Sequence, residues 1–545
     1  MDADIDISPP MTVIKRWLLQ CADSHSSCCA VSCNAEKWYP TRLLHVETSE
    51  ASNDVRLIMT EDNSLPSKEQ YTTLSHCWGT KQPLRLLTSN IDHMTRGIAL
   101  ADLPKTFRHA IQVTKQLGIQ YLWIDSLCII QDDHDDWLNE SMAMQNVYAN
   151  GFCNIAATAA HDSSEGLFFD RNVQFLQPCF VDLPWMDTTG MQCELLDDEF
   201  WRESITDAPL NQRAWVCQER LLARRVIHFG KDQLFFECRE THLAEIYPSD
   251  KRLQSGVWDS YFKDMDPIIP QPRVQTRLLD IERDEKFWVY DKWQAIVASY
   301  SSGKLSQPSD KLIALSGIAE RFRTVINDHY IAGMWERYLA SQLLWETDEM
   351  CGVRPPCYRA PSFSWASLDG RIASPEVSDE HIVARILDVS IEKLNDGKMT
   401  GGVKGGYINI SGFLANVTLS SPSWTYLVSV NSINGMPTLE NQDSTFFVHL
   451  DVSTEDVSVP MVALVIQLND VENGDAGVDR PRQGCFMDTI ILKHIPGAFG
   501  HYIRVGKAWD NDEARMAMVQ DIHKHPIAPC ESYDPETGHH TIRIY

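Results

Sequence analysis

Tyr71-Thr-Thr-Leu-Ser-His-Cys-Trp-Gly79 and, further on, Tyr121-Leu-Trp-Ile-Asp-Ser-Leu-Cys-Ile-Ile-Gln-Asp-Asp133 decide the fold. Each is an apolar run that stops at small, polar and aromatic residues. Between them Pro104 opens a helical pattern. Phe107, Ala110, Ile111, Thr114 and Leu117 recur at three and four, and Gly118 is the stop. A strand–helix–strand unit reads this way when both strands end at a shared site. Ligands on open parallel sheets bind beyond the carboxyl ends of the strands. Ser75, His76, Trp78, Asp125, Ser126 and Cys128 are therefore expected to meet in one crevice.

Outward from this unit, a second helix is predicted from about Asp135 to Tyr148, then a strand over Phe152–Thr158. Pro40–Val46 and Val55–Ile58 read as short strands before it. Asn211–Leu222 has helical composition, and Arg225–Phe229 with Gln233–Cys238 reads as a hairpin. Helices are expected over 284–302, 309–326 and 333–346. From about 375 onward short alternating runs bounded by Gly, Asn and Asp predict a β-rich region. The boundaries drawn are 1–37 for a Cys-rich helical segment, 38–240 for an α/β core, 241–370 for a helical extension packing on that core, and 371–545 for the β-rich domain. The fold class is α/β: a parallel sheet core with helical additions and a β-rich C-terminal region.

Composition narrows the function. Hydrophobic residues at 43% and charged residues at 23% mark a globular chain. A formal net charge of −27 repels duplex nucleic acid and anionic membrane unless a basic patch is segregated. The densest basic cluster is Arg220, Arg224 and Arg225, with Glu219 and His228 beside it, so no nucleic-acid partner is expected. The acidic start has no basic or long apolar leader, and no apolar run approaches the roughly 20 residues of a membrane span. Fifteen Cys residues in a long chain without a leader read as reduced thiols in a cytosolic or nuclear protein, and a cytoplasmic location is expected.

Several groups can do chemistry. With residues about 100° apart around a helix, Glu140 falls between Met144 and Val147 on the apolar face that Trp137 and Tyr148 share. A buried carboxylate has a raised pKa unless paired, and such groups cluster at functional sites. The plainer reading is a structural pair with an Arg such as Arg171 or Arg213. Asp125 and Ser126 end a strand, where Asp can bind a ribose hydroxyl or form a turn-stabilising motif. Asp132, Asp133, Asp135 and Asp136 match no calcium loop and read as an acidic helix start. Cys77 and Cys128 sit by strand ends, but His76 and Cys77 point to opposite faces, which weakens a Cys–His dyad. Arg213 opens a helix where a phosphate would be welcome, and Trp215 and Glu219 share its face. A structural Arg–Glu bond is the alternative there. Cys21-x3-His25-x2-Cys28-Cys29-x3-Cys33 has thiolate and imidazole ligands at short spacing but matches no zinc pattern, so no metal is assigned.

These blocks resemble the HET domain of fungal heterokaryon-incompatibility proteins. The matching pieces are Thr73-Leu-Ser-His-Cys-Trp-Gly79, Leu103-Pro-Lys-Thr-Phe107, Tyr121 to Asp132, Asp136-Trp-Leu-Asn-Glu140, Met144-x2-Val-Tyr148, Gly166-Leu-Phe168 and Arg213-Ala-Trp-Val-Cys-Gln-Glu219. His76 stands where Tyr is common, and Val216-Cys217 where Thr-Leu is common. The resemblance implies a fungal source and a role in non-self recognition and programmed cell death. It also implies a remote likeness to TIR domains, which are flavodoxin-like and in several cases cleave NAD with one helix glutamate. Trp137-Leu-Asn-Glu140 is similar to their Trp-Cys-x-x-Glu helix, with one residue fewer between Trp and Glu. On this reading NAD is the candidate substrate and no cofactor is assigned. Glu140, Asp125 and Ser126 are catalytic, while Ser75, His76, Trp78, Cys128, Asp132, Arg213 and Glu219 bind the ligand. The alternatives are a non-enzymatic module that assembles with itself, a protein partner or the product of an incompatible allele, and an accessory protein of a metabolic gene cluster.

Overall fold

The computed structural model describes residues 8–29, 38–47, 55–61, 69–79, 83–171, 176–177, 179–182, 192–195, 197, 199–248, 262–269, 287–348, 352–374, 378–394, 400–420, 427–430, 447–453, 455–456, 459–469, 486–510 and 526–545. The chain forms two compact units, Met1–Thr276 and Arg277–Tyr545.

The first unit is built on one sheet. Its strands are β1 (Arg42–Val46), β2 (Val55–Met59), β3 (Tyr71–Ser75), β4 (Tyr121–Ile124), β5 (Asn154–Ala156), β6 (Arg225–Phe229), β7 (Leu234–Cys238) and β8 (His242–Ala244). They lie in the order β8-β7-β6-β5-β3-β4-β1-β2. The four central strands β4, β3, β5 and β6 are mutually parallel. In chain order they run second, first, third, fourth. The connections therefore depart in opposite directions from β3 and β5, and that junction is the topological switch point where such sheets hold ligands. Antiparallel strands β1 and β2 close one side, and β7 and β8 the other.

The helices follow from the apolar periodicity. Helix α2 (Lys105–Gln116) crosses from β3 to β4 and buries Phe107, Ala110, Ile111 and Val113. Burying one such large apolar side chain is worth about 1.5–3 kcal/mol. Pro104 caps this helix, and Gly118 after it has φ +75, a conformation that glycine adopts without strain. Helix α3 (His134–Asn150) begins at Asp133, whose carboxylate accepts from the Asp135 and Asp136 amides. The acidic run is thus a helix start, as its composition implies. All four residues of β4 are buried, with Trp123 edge-on to Tyr148 of α3 at 5.7 Å. Helix α4 (Ala214–Leu222) joins the region after β5 to β6, and Trp215 meets Trp137 of α3 at 6.4 Å. Helix α1 (Ser8–Ser24) buries Ile14, Trp17, Leu18 and Cys21, and Trp17 packs on Phe236 of β7.

The basic residues that stand out in the sequence are committed internally. Arg220 makes a two-pronged bond to Glu237 at 2.7 Å on each arm, and its guanidinium lies over Phe262. Arg224 donates to the Ala149 carbonyl, and Arg225 to the Phe152 carbonyl.

In the second unit, helices α5 (Phe287–Ser301) and α6 (Ser316–Ile326) carry buried Trp293 and Phe322 in edge contact at 5.1 Å. Residues 309–315 are not α-helical, so the helix expected over 309–326 starts at Ser316. The helix expected over 333–346 is mostly absent. Met334–Trp335 pairs with Tyr330–Ile331, a single turn spans Leu339–Gln342, and Glu346–Thr347 pairs with Ile372–Ala373. Gly333 decides this. Its φ is +103, and its carbonyl accepts from the Trp293 and Trp365 indoles at 3.0 and 2.9 Å, which fixes a tight hairpin. Among the described residues, ten strands from Arg385 to Ile544 form one mainly antiparallel sheet, as the alternating pattern implies. Inside it Arg504 is fully buried, bonded to Asp451 at 2.5 Å and set over Trp345.

Glu237→Gln should be strongly destabilising, since it leaves the buried Arg220 guanidinium without a counter-charge. The expected loss is about 3–5 kcal/mol, read from urea unfolding of the full chain. A loss under about 1 kcal/mol would show that the pair is dispensable.

Candidate functional site

The carboxyl ends of β3 and β4 lie side by side, as the sequence implies, and that of β5 adjoins β3. Ser75 ends β3 and pairs with Ala156 of β5 at the switch point, while Leu74 pairs with Ile124 of β4. At this junction lies a buried polar cluster. Ser75 Oγ donates to Glu219 Oε2 at 2.5 Å and accepts from Asn154 Nδ2 at 2.9 Å. Thr73 Oγ1 donates to Asn154 Oδ1 at 2.9 Å, which orients that amide. The Tyr148 hydroxyl is a second hydrogen-bond partner of Glu219. Glu219 is 4% exposed and Ser75 1%. Burial raises the Glu219 pKa, with Asp125 adding to the rise, while the Arg213 charge and the Ser75 and Tyr148 hydroxyls pull against it.

Half-buried groups lie beside the cluster. Trp78 Nε1 donates to Asp125 Oδ2 at 2.9 Å. Arg213 donates to the His76 carbonyl. His76 is buried, 3.6 Å from Asp125 and edge-on to Phe107 at 4.9 Å. Burial pushes its pKa down to about 4, against the pull of Asp125. Its imidazole is therefore neutral near pH 7. The turn after Trp78 requires Gly79, which has φ +74 and would place a Cβ 2.3 Å from the Asp162 Cβ.

The structure thus brings together Ser75, His76, Trp78, Asp125, Arg213 and Glu219. The side chains of the other sequence-predicted residues are not bonded to these six. Glu140 is buried on the apolar face of α3, as its periodicity implies, but its partners are elsewhere. Arg42 of β1 lies 3.5 Å away and bonds Asp136 at 2.5 Å. Burial raises the Glu140 pKa, opposed by Thr41 and Arg42. The partner is Arg42, not Arg171 or Arg213. Arg171 instead pairs with Glu245 at 2.7 Å. Tyr148 follows Glu140 by eight positions on the same helix, about 12 Å along the axis, and it is Tyr148 that reaches Glu219. Ser126 is fully buried. Its amide donates to the Asp125 carboxylate at 2.7 Å as a turn motif. Cys128 is buried, with its carbonyl taken by Arg42 and its thiol pushed up to about 12 by burial, so it is no nucleophile in this fold. Asp132 is exposed and holds the Thr88 amide and hydroxyl at 2.8 and 2.9 Å.

Several partners escaped the sequence reading. Asn154 and Tyr148 look like ordinary strand and helix residues, and no local spacing announces them. A second buried chain, Thr158–His228–Glu237, runs beside the first, with Thr158 Oγ1 2.9 Å from His228 Nδ1 and His228 Nε2 3.3 Å from Glu237. Cys238 of β7 stands with Cys21, His25 and Cys28, and Cys33 lies outside the described residues. A cleft of about 1020 Å³ opens nearby, lined by Ala159, His161, Phe200, Pro209, Lys231 and Tyr247 among others. None of the site residues named from the sequence lines it.

Residues 71–219 match the family model described as heterokaryon incompatibility protein (HET). This chain carries a HET domain. The matched stretch begins with β3 and ends at Glu219, so the HET domain holds the whole Ser75–Glu219 cluster. A HET domain implies a role in heterokaryon incompatibility. No curated protein and no solved structure is significantly similar to the chain. Among the described residues, no helix is long and apolar enough to cross a membrane.

The pKa of Glu219 fixes a pH prediction. The fold favours its protonated form, so the stability that proton contributes is fully present below the unfolded value near 4.5 and is lost as pH rises through the higher folded value. Glu219→Gln lacks that loss. Its stability relative to the parent should therefore improve from pH 4 upward and level off once the folded Glu219 has ionised, in urea unfolding at a series of pH values. A difference that does not vary with pH would contradict the raised pKa.

Proposed function

We propose that the HET domain cleaves the nicotinamide–ribose bond of NAD or a related nucleotide, as part of a response that ends in cell death, and that Glu219 is its functional carboxylate. One observation carries this reading: a buried carboxylate held by Ser75 and Tyr148 lies at the switch point of a parallel sheet, near half-buried Asp125, with Trp78 bonded to it, and half-buried Arg213. Trp215-Val-Cys-Gln-Glu219 also has the Trp-x-x-x-Glu spacing of the TIR helix, which Trp137 and Glu140 lack by one residue. The resemblance to TIR domains thus attaches better to α4, the helix between the third and fourth parallel strands, than to α3.

In this mechanism a ligand opens the Trp78–Asp125 bond, and Trp78 stacks on a ring while Arg213 faces a phosphate. Glu219 accepts from the ribose hydroxyls. The bond between ribose C1′ and the nicotinamide nitrogen breaks, and its electron pair leaves with nicotinamide. The carboxylate stabilises the positive charge that develops on the ribose. Water then adds to C1′ and releases one proton to solvent. Glu140, held by Arg42, supports the floor of α3.

A second reading is a non-enzymatic module that acts by assembly with itself or a protein partner. The closed Ser75–Glu219–Asn154 bonds and the sealed Arg42–Glu140–Asp136 group favour it, since every carboxylate there already has a protein partner.

Nicotinamide release by the purified full chain, including its assembled forms, separates the two. The expected outcome is measurable release that falls at least about 100-fold in Glu219→Gln, the scale of a lost charge-stabilising group, and less than about 10-fold in Glu140→Gln. If the parent never releases nicotinamide and Glu219→Gln still kills cells, the module reading stands instead.

A further inference from the structure

We propose that Cys21, His25, Cys28 and Cys238 bind one zinc ion through three thiolates and one imidazole, and that this ion ties helix α1 to strand β7 in the first unit. The geometry is the starting point. One donor atom from each of the four residues lies within 4.8 Å of every other. Cys238 Sγ is 3.2 Å from His25 Nδ1. A zinc tetrahedron with Zn–S bonds of about 2.3 Å has edges of about 3.8 Å, so the four donors need to move by less than an ångström or so to share one ion.

The local chain is already wound for this. Cys21 ends the buried face of α1, and the turn that follows is held by His25 N to Cys21 O at 3.1 Å and Cys28 N to His25 O at 3.2 Å. The sequence Cys-x3-His-x2-Cys therefore points three donors to one side. The fourth comes from a strand more than two hundred positions away, which is why the spacing alone shows half a site. Cys21, Cys28 and Cys238 are buried, at 0%, 1% and 3% exposure, as a closed structural site requires.

Groups around the sulfurs suit thiolates. Arg225 Nε donates to Cys21 Sγ at 3.1 Å, and the Arg239 backbone N–H donates to Cys28 Sγ. Arg239 Nη1 also holds the Ser27 carbonyl, and the Ser27 amide donates to Glu240. These bonds orient the ligands from outside the first shell. Binding replaces three thiol protons, released to solvent, with one doubly charged cation. The site then carries one net negative charge, and Arg225 offsets it. Soft thiolates with one imidazole select zinc over calcium or magnesium. A disulfide would use two of the three sulfurs and leave a buried thiol beside His25 with no role.

The test is the metal content of the full chain purified without added metal or chelator, by elemental mass spectrometry. The expected result is one zinc per chain in the parent and in Cys357→Ser, an exposed thiol of the second unit. Cys28→Ser and Cys238→Ser should lose the zinc. If those variants fail to fold, cobalt uptake by the zinc-stripped parent decides. Tetrahedral cobalt bands with intense sulfur-to-cobalt charge transfer support the site. Failure of the parent to hold zinc or take up cobalt at one equivalent, or a disulfide among Cys21, Cys28 and Cys238 by peptide mass, overturns it.

Discussion

The bond from Ser75 to Glu219 is the constraint on which the HET domain's candidate site depends. It joins the end of the first parallel strand to the helix that leads into the fourth. A carboxylate removed from water costs several kcal/mol unless hydrogen bonds or charges offset the loss. Here Ser75, Tyr148 and the nearby Arg213 supply that offset. Each comes from a different part of the chain, so the cluster forms once β3, α3 and α4 have all docked. The cluster therefore reports on the assembled domain and not on any one segment.

Around it the first unit repeats one solution. Polar groups that cannot reach water are paired across long stretches of sequence: Arg42 with Asp136 and Glu140, and Arg220 with Glu237. Such pairs add little net stability compared with apolar packing, yet breaking one is costly. They fix which strand and helix faces can meet. The Glu219 cluster differs in position, because it alone among these groups lies directly at the junction of β3 and β5 with half-buried charged side chains near it.

Much of this was legible in the sequence. The two apolar runs, the helix between them and the site side chains at their tips follow from period and punctuation, which are local properties. So does the burial of Glu140, which period alone puts on the apolar face. What period cannot give is a partner. Arg42 precedes Glu140 by 98 positions, and nothing near either residue signals the pair. The same gap hid Asn154 and Tyr148, and it hid Cys238 from the Cys21–Cys28 segment. In the second unit, residues 333–346 have helical composition, but the left-handed Gly333 and its two indole bonds turn the chain into a hairpin. There tertiary contact overrides propensity.

A crystal structure of the full chain with ADP-ribose, the product class of the proposed cleavage, tests the central claim most directly. The expected density places the ribose hydroxyls within hydrogen-bond reach of Glu219, with Trp78 and Asp125 parted. Density beside Glu140, density confined to the cleft between Ala159 and Tyr247, or none at saturating ligand would contradict the assignment.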